Sequence, residues 1–120
     1  MISALERKTL HANALCASSA ASSALDLSDY EGSIDLILDA TAQGSGITNA
    51  MKITECDTSG GSFTDVSGGG FTTVANTASA QLLRLDSNKL QRFIKLDKTV
   101  AGGTGTGNVS VQIVGQKKYR

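Results

Sequence analysis

Side-chain chemistry needs particular residue types within reach of one another, and this chain offers few of them. His11 is its single histidine. A Ser/His/Asp or Cys/His system therefore has one residue to draw on, and a three-histidine metal site cannot be assembled. Cys16 and Cys56 are forty positions apart with no second Cys or His close by, which is neither zinc-ligand spacing nor a redox pair. Both read as reduced thiols that pack as small apolar side chains. Asp26, Asp29 and Glu31 could offer hard oxygen ligands to calcium, but the segment lacks the glycine and terminal glutamate of a helix-loop-helix site and reads as a solvated acidic turn. Glu55 and Asp57 flank a turn, and no Trp-rich or Tyr-rich stretch accompanies them to line a sugar cleft.

Two glycine-rich or basic stretches are equally weak as chemistry. Gly102-Gly103-Thr104-Gly105-Thr106-Gly107 has the glycine density of a phosphate loop. It lacks the lysine of such a loop, and no helix pattern follows it to receive an anion, so it reads as a flexible strand connection. Asn108-Val109-Ser110 fits the glycosylation sequon but falls within a strand pattern. Lys117-Lys118-Tyr119-Arg120 is a short basic tail whose default is a solvated terminus. Catalysis, cofactor binding and metal binding are thus not expected, and no site residues are assigned to them.

The elements that position these residues are strands. Ile34, Leu36 and Leu38 face one way, with Asp35 and Asp39 facing the other and Ile37 the one outward apolar residue, so 32–41 is a half-buried strand. A turn at 43–46 leads to a second strand over 47–56, with a hairpin as the simplest connection. Phe63 and Val66 mark a strand over 62–66, Ser67-Gly68-Gly69-Gly70 a turn, and 71–74 another strand. Leu83 and Leu85 alternate around Arg84, Ile94, Leu96 and Val100 around Lys95, Asp97 and Thr99, and Val109, Val111 and Ile113 around Ser110 and Gln112. Seven or eight short strands with glycine-rich turns predict an all-β antiparallel sandwich or jelly roll, with Phe63, Phe71 and Phe93 as its large core rings.

With 120 residues, the chain is one domain's worth. The run Ser18-Ser19-Ala20-Ala21-Ser22-Ser23 separates an N-terminal arm and connector, 1–24, from the sandwich, 25–120. The arm is expected to be extended and adaptable, and its removal from Met1 to Ala17 to leave the sandwich folded; the alternative is that it completes the sandwich as an edge strand. No apolar stretch is long enough to span a bilayer, and the residues before Cys16 contain no apolar core of a signal peptide, so synthesis in a cytoplasm is expected.

Charge is balanced overall, at eleven basic and eleven acidic residues, so no global field draws in nucleic acid or anionic membrane, and neither is expected as a partner. Its distribution is uneven. Between Asp26 and Asp65 eight acids face Lys52 alone, whereas from Arg84 to Arg120 eight basic residues face Asp86 and Asp97. The two blocks can pair within one molecule across a sheet, or between neighbouring copies in an assembly.

Several segments carry a resemblance. Leu25-Asp26-Leu27-Ser28-Asp29-Tyr30-Glu31-Gly32-Ser33 comes first, followed by Thr54-Glu55-Cys56-Asp57 through Ser62-Phe63-Thr64-Asp65-Val66. Next are Leu83-Arg84-Leu85-Asp86 with Gln91-Arg92-Phe93-Ile94, and finally Val109-Ser110-Val111-Gln112-Ile113-Val114-Gly115. Together, over Leu25 to Tyr119, they resemble a family of small structural proteins of tailed bacteriophages. The resemblance implies a jelly-roll cement or decoration protein on the outer surface of the virion head, made in the bacterial host's cytoplasm, with no enzyme activity. Its implied partners are the major capsid protein and further copies of itself; a sandwich with free sheet edges is compatible with a dimer or a trimer, and a dimer is favoured because edges can pair across a two-fold axis. The candidate contacts are the apolar anchors Ile2, Leu5, Leu10 and Leu15 and the basic residues Arg84, Arg92, Lys117, Lys118 and Arg120. A tail component or a carbohydrate-binding adhesion module on the same sandwich is the competing reading. Only Tyr30 and Tyr119 remain outside the expected core as rings for a sugar.

Overall fold

The computed structural model describes residues 5–117. Its strands are β1 (Leu5–Leu15), β2 (Ala20–Ala21), β3 (Leu25–Asp26), β4 (Tyr30–Ala40), β5 (Thr48–Cys56), β6 (Thr64–Gly70), β7 (Ser79–Asp86), β8 (Phe93–Ala101) and β9 (Asn108–Lys117). One sheet has the order β1-β9-β4-β7; the other has β2-β8-β5-β6, with β3 also paired to β8. All pairings are antiparallel. If β2 and β3 are counted as one interrupted strand, this is an eight-stranded jelly roll of two facing four-stranded sheets.

Alternation dictates which side chains form the core. Ile34, Leu36 and Leu38 of β4 and Val109, Val111 and Ile113 of β9 point inward from one sheet, against Ile94 and Leu96 of β8 and Met51 and Ile53 of β5. These are branched aliphatics, which suit a pleated, close-packed interface. The rings sit at its margin. Phe63 and Phe93 are half-buried beneath Lys95 and Arg92, at 4.4 and 5.0 Å from cation to ring centre, and Phe71 is only partly buried against the core. The expected Phe core is thus an aliphatic core, because the central inward positions belong to Ile, Leu and Val.

Four further expectations change. Residues 5–15 are not a detached arm: they pair with β9 from Leu5↔Gln116 to Leu15↔Asn108, with Leu10 buried. Leucines five apart do not build an alternating apolar face, and Leu15 is exposed, so β1 is held by its backbone pairing with β9 and by Leu10, alone among its described side chains in the core. Nor is the Ser/Ala run a free linker. Ser19 Oγ and Ser22 Oγ accept the backbone N–H groups of Val100 and Leu96, each at 2.9 Å, and so fasten the connector to the edge of β8. β4 and β5 do not form a hairpin; the connection between them crosses from one sheet to the other. The strand expected over 62–66 runs on through the expected turn to Gly70, while 71–74 contributes only the isolated bridge Asn49↔Val74.

The glycine-rich connection 102–107 is packed rather than loose. Gly105 donates to the Ala17 carbonyl at 2.9 Å. A Cβ on Gly105 would collide with the Cys16 carbonyl oxygen. Glycine is required here by backbone approaching backbone, not by a ligand.

Candidate interaction surface

The side chains between the sheets are mostly aliphatic, and most of the charged side chains lie on the two outward faces and at the sheet edges. The outer face of the second sheet is engaged by its own charges. Lys52 meets Asp65 at 2.9 Å, Lys95 covers Phe63, and Arg92 grips Asp26 through two hydrogen bonds of 3.1 and 2.9 Å. That pairing holds the Asp26 carboxyl well below the usual carboxylate range, helped by the Ser28 backbone N–H.

The outer face of the first sheet is built differently, and the register lays it out in rows. Arg7, Val114, Asp35 and Arg84 form one row across β1, β9, β4 and β7. Within it Arg84 donates to both Asp35 oxygens, at 2.7 and 3.2 Å, which lowers the Asp35 pKa. The next row is Thr9, Gln112, Ile37 and Leu82. Its polar half closes on itself, with Thr9 Oγ1 to Gln112 Oε1 at 3.2 Å, and its apolar half stands in solvent, with Ile37 38% and Leu82 63% exposed. Beyond it come Ser110, Asp39 and Ala80. There a groove of about 500 Å³ opens among small side chains, bounded by Asn13, Asp39, Ser79, Ala80 and Ser110.

The two edges of this sheet also differ. β1 is interrupted twice in its register with β9, between Thr9 and His11 and between His11 and Ala14. His11 at this irregularity reaches across to the other sheet. Its Nδ1 lies 3.0 Å from the Val109 carbonyl, which can only accept, so Nδ1 carries the proton and Nε2 accepts from the Lys98 ammonium at 2.6 Å. Burial, then the Lys98 charge, lowers the His11 pKa. β7 pairs with β4 without interruption, from Ser33↔Asp86 to Ala40↔Ser79, and its other side is unpaired among the described residues.

The residues singled out from sequence scatter over this frame. Leu10 is in the core, Leu15 is 59% exposed at one end of β1, and Arg84 and Arg92 hold intramolecular ion pairs on different sheets. Ile2, Lys118 and Arg120 lie outside the described residues, continuing from Leu5 and Lys117. The antiparallel pairing of β1 with β9 brings those two positions to the same end of the sandwich. Sequence reading missed Leu82. In an alternating strand two consecutive leucines cannot both point inward, and Leu82-Leu83 carried that signal.

The other residues weighed for chemistry are placed as follows. Glu55 accepts the Gln91 backbone N–H at 2.9 Å. Cys16 and Cys56 are free thiols, Cys16 buried. Tyr30 is buried, its ring over Gly115, and its hydroxyl pKa is pushed up to about 12 by desolvation, so this ring is not available to stack on a sugar. Among the described residues no group of three or more His, Cys, Asp or Glu is placed to hold a metal ion, and no helix is long and apolar enough to cross a membrane.

No protein-family model matches this chain, and no curated protein does. Solved structures do. The SPBc2 prophage-derived protein YomS is similar over 98% of this chain and 96% of its own, with a TM-score of 0.61 at 15% identity. The infectious bursal disease virus VP2 subviral particle aligns with 98% of this chain at a TM-score of 0.48 and 12% identity, and the Gx strain of that virus at 0.47 and 10%; in both the chain spans 37% of the longer protein. The likeness to YomS is one of fold: a jelly roll of matching length.

Proposed function

We propose that this chain is a non-enzymatic structural protein of a phage virion, bound to the outside of the head shell, where it cements adjacent subunits of the major capsid protein. The observation that carries the reading is where the β1–β9 pairing puts the ends of the described chain. Leu5 and Lys117 emerge side by side. An apolar segment, Ile2 to Leu5, and a basic one, Lys117, Lys118 and Arg120, are thereby tethered to one end of a rigid jelly roll. An apolar and a basic segment at one end can contact a larger surface together, and repeated copies on a lattice add their weak affinities through effective concentration. The aliphatic core between the sheets supports a structural role, and the fold shared with a prophage-derived protein supports a phage setting.

Sedimentation of the purified chain with expanded, undecorated heads, at low and high salt, tests this. Stoichiometric binding that weakens with salt is expected, and Lys117→Glu, Lys118→Glu and Arg120→Glu together should abolish it while leaving the circular dichroism spectrum unchanged. Failure to bind heads in either salt overturns the cement role and favours a tail or adhesion module.

A further inference from the structure

We propose that β7 is the interface of a symmetric homodimer, in which two copies pair their β7 strands antiparallel about a two-fold axis at Leu82. The proposal needs no shell and concerns the chain alone in solution.

An unpaired strand edge presents N–H and C=O groups that template the addition of another strand, and proteins blunt such edges with bulges, charges or short strands. Three edges here are blunted. β1 is bulged and carries Glu6, Arg7, Lys8 and His11. β6 has an irregular register with β5 and ends Gly68-Gly69-Gly70. The β2 and β3 edge is broken into two pieces of two residues each. β7 has none of these defences: its register with β4 is continuous over eight pairs, and its one basic residue, Arg84, is neutralised by Asp35.

What the edge displays is self-complementary. Residues 80, 82 and 84 all point to the outer face, so a two-fold through Leu82 sets Leu82 against the partner's Leu82 and Arg84 against the partner's Ala80. The sheet then runs unbroken through both copies, and Ile37 and Leu82 of each copy join into a single apolar row across the seam. Cross-strand apolar pairs of this kind are the stabilising unit of a sheet. The charges fit the same register. Asp39 pairs with Ala80 in the sheet and makes no ion pair among the described residues. Arg84 of one copy therefore faces the partner's Asp39 across a methyl side chain, and the groove bounded by Asp39, Ser79 and Ala80 gives the guanidinium room. Shifting the two-fold to Leu83 would set Leu82 opposite Arg84 and lose both matches. One strand pair is a small interface, so the dimer should be reversible in dilute solution and firm where a lattice holds two copies together.

Sedimentation equilibrium of the full chain should show a concentration-dependent monomer–dimer equilibrium. Leu82→Lys should weaken it by roughly tenfold or more while leaving the melting temperature of the monomer unchanged, because the side chain is exposed. Cross-linking fixes the register. In a Cys56→Ser background, Leu82→Cys should oxidise to a covalent dimer by itself. Ala80→Cys should not, but an equal mixture of Ala80→Cys and Arg84→Cys chains should, since directly opposed residues in antiparallel strands lie within disulfide reach. A chain that stays monomeric at its solubility limit overturns the proposal, as does a trimer or a dimer indifferent to Leu82→Lys. Efficient self-linking of Ala80→Cys overturns the register.

Discussion

The two edges of the four-stranded sheet are made from opposite materials. At β1 the register is interrupted twice, four ionisable residues fall within the strand, and His11 is tied through Lys98 to the facing sheet. At β7 the register is continuous, one ion pair is closed internally, and Leu82 stands in solvent. An edge meant to stay single is bent and charged; an edge meant to receive a strand is straight and apolar. The difference teaches that the exposure of a residue says less about its purpose than the regularity of the strand that carries it.

The comparison breaks most sharply by exchanging which leucine is truncated. Leu10 of β1 is buried and Leu82 of β7 is not. Leu10→Ala should cost about 3 kcal/mol, the cost of lost burial plus a residual cavity, whereas Leu82→Ala should leave monomer stability within about 0.5 kcal/mol. Urea unfolding below the dimerisation concentration reads both. Equal losses would mean that β1 is no more part of the core than β7. Removing residues 1–17 altogether goes further, for it takes away β1 and exposes the whole flank of β9.

Gly115 sharpens the β1 side from within. It lies on β9 opposite Glu6 of β1 and Ile34 of β4, and a Cβ there would stand 2.6 Å from the Tyr30 ring and 2.8 Å from Ile34. Gly115→Ala should destabilise the fold by about 2 kcal/mol through overpacking, read as a lower urea midpoint with an unchanged slope. A neutral substitution would show that the Tyr30 ring can move aside.

How much of this was legible in the sequence follows from range. Period-two alternation is local, so β4, β5, β7, β8 and β9 could be found from their own residues, and with them the all-β class. The fates of β1 and the Ser/Ala run depend on partners 105 and 81 positions away in sequence, respectively: Lys8 pairs with Ile113, and Ser19 with the backbone at Val100. Nothing within either segment announces those partners. The glycines at 68–70 misled for a related reason, since glycine marks a turn by freedom of φ but also marks a strand where a neighbouring segment comes close; Gly69 has Val66 and Ile53 against it. The interaction surface was half visible. Ile37 was evident as an outward apolar residue, but joining it to Leu82 required the register of β4 with β7.

The His11 link makes the β1 edge pH-sensitive near neutrality, whereas the Asp35–Arg84 pair at the β7 edge responds only in acid, where the lowered Asp35 carboxyl takes up its proton. The folded chain holds the His11 pKa below its ordinary 6.5 by burial and by the Lys98 charge. The unfolded chain therefore takes up a proton first as pH falls. Its stabilising contribution is whole above about 6.5 and is lost progressively below it. Melting temperature measured from pH 8 to 5 should decline through this window, and His11→Gln should flatten the decline. A profile unchanged by His11→Gln would remove the tie between β1 and β8.

The smallest effect belongs to the ion pair at the β7 edge. Asp35 and Arg84 form two hydrogen bonds, yet the arginine side chain is 66% exposed, and exposed pairs contribute little to stability. Asp35→Asn should thus barely move the urea midpoint of the monomer, and less still in high salt. Its informative effect is on association. Asp35 holds Arg84 down on the outer face, beside the Ile37 and Leu82 row, and without it the guanidinium is freer to reach the partner's Asp39 but also leaves an uncompensated charge of like sign on each side of the seam. Salt separates these outcomes: if the cross-seam attraction dominates, raising salt weakens the Asp35→Asn dimer; if like-charge repulsion dominates, raising salt strengthens it. A dimer constant unaffected by salt in both the parent and the variant would mean that the apolar row alone holds β7 to β7.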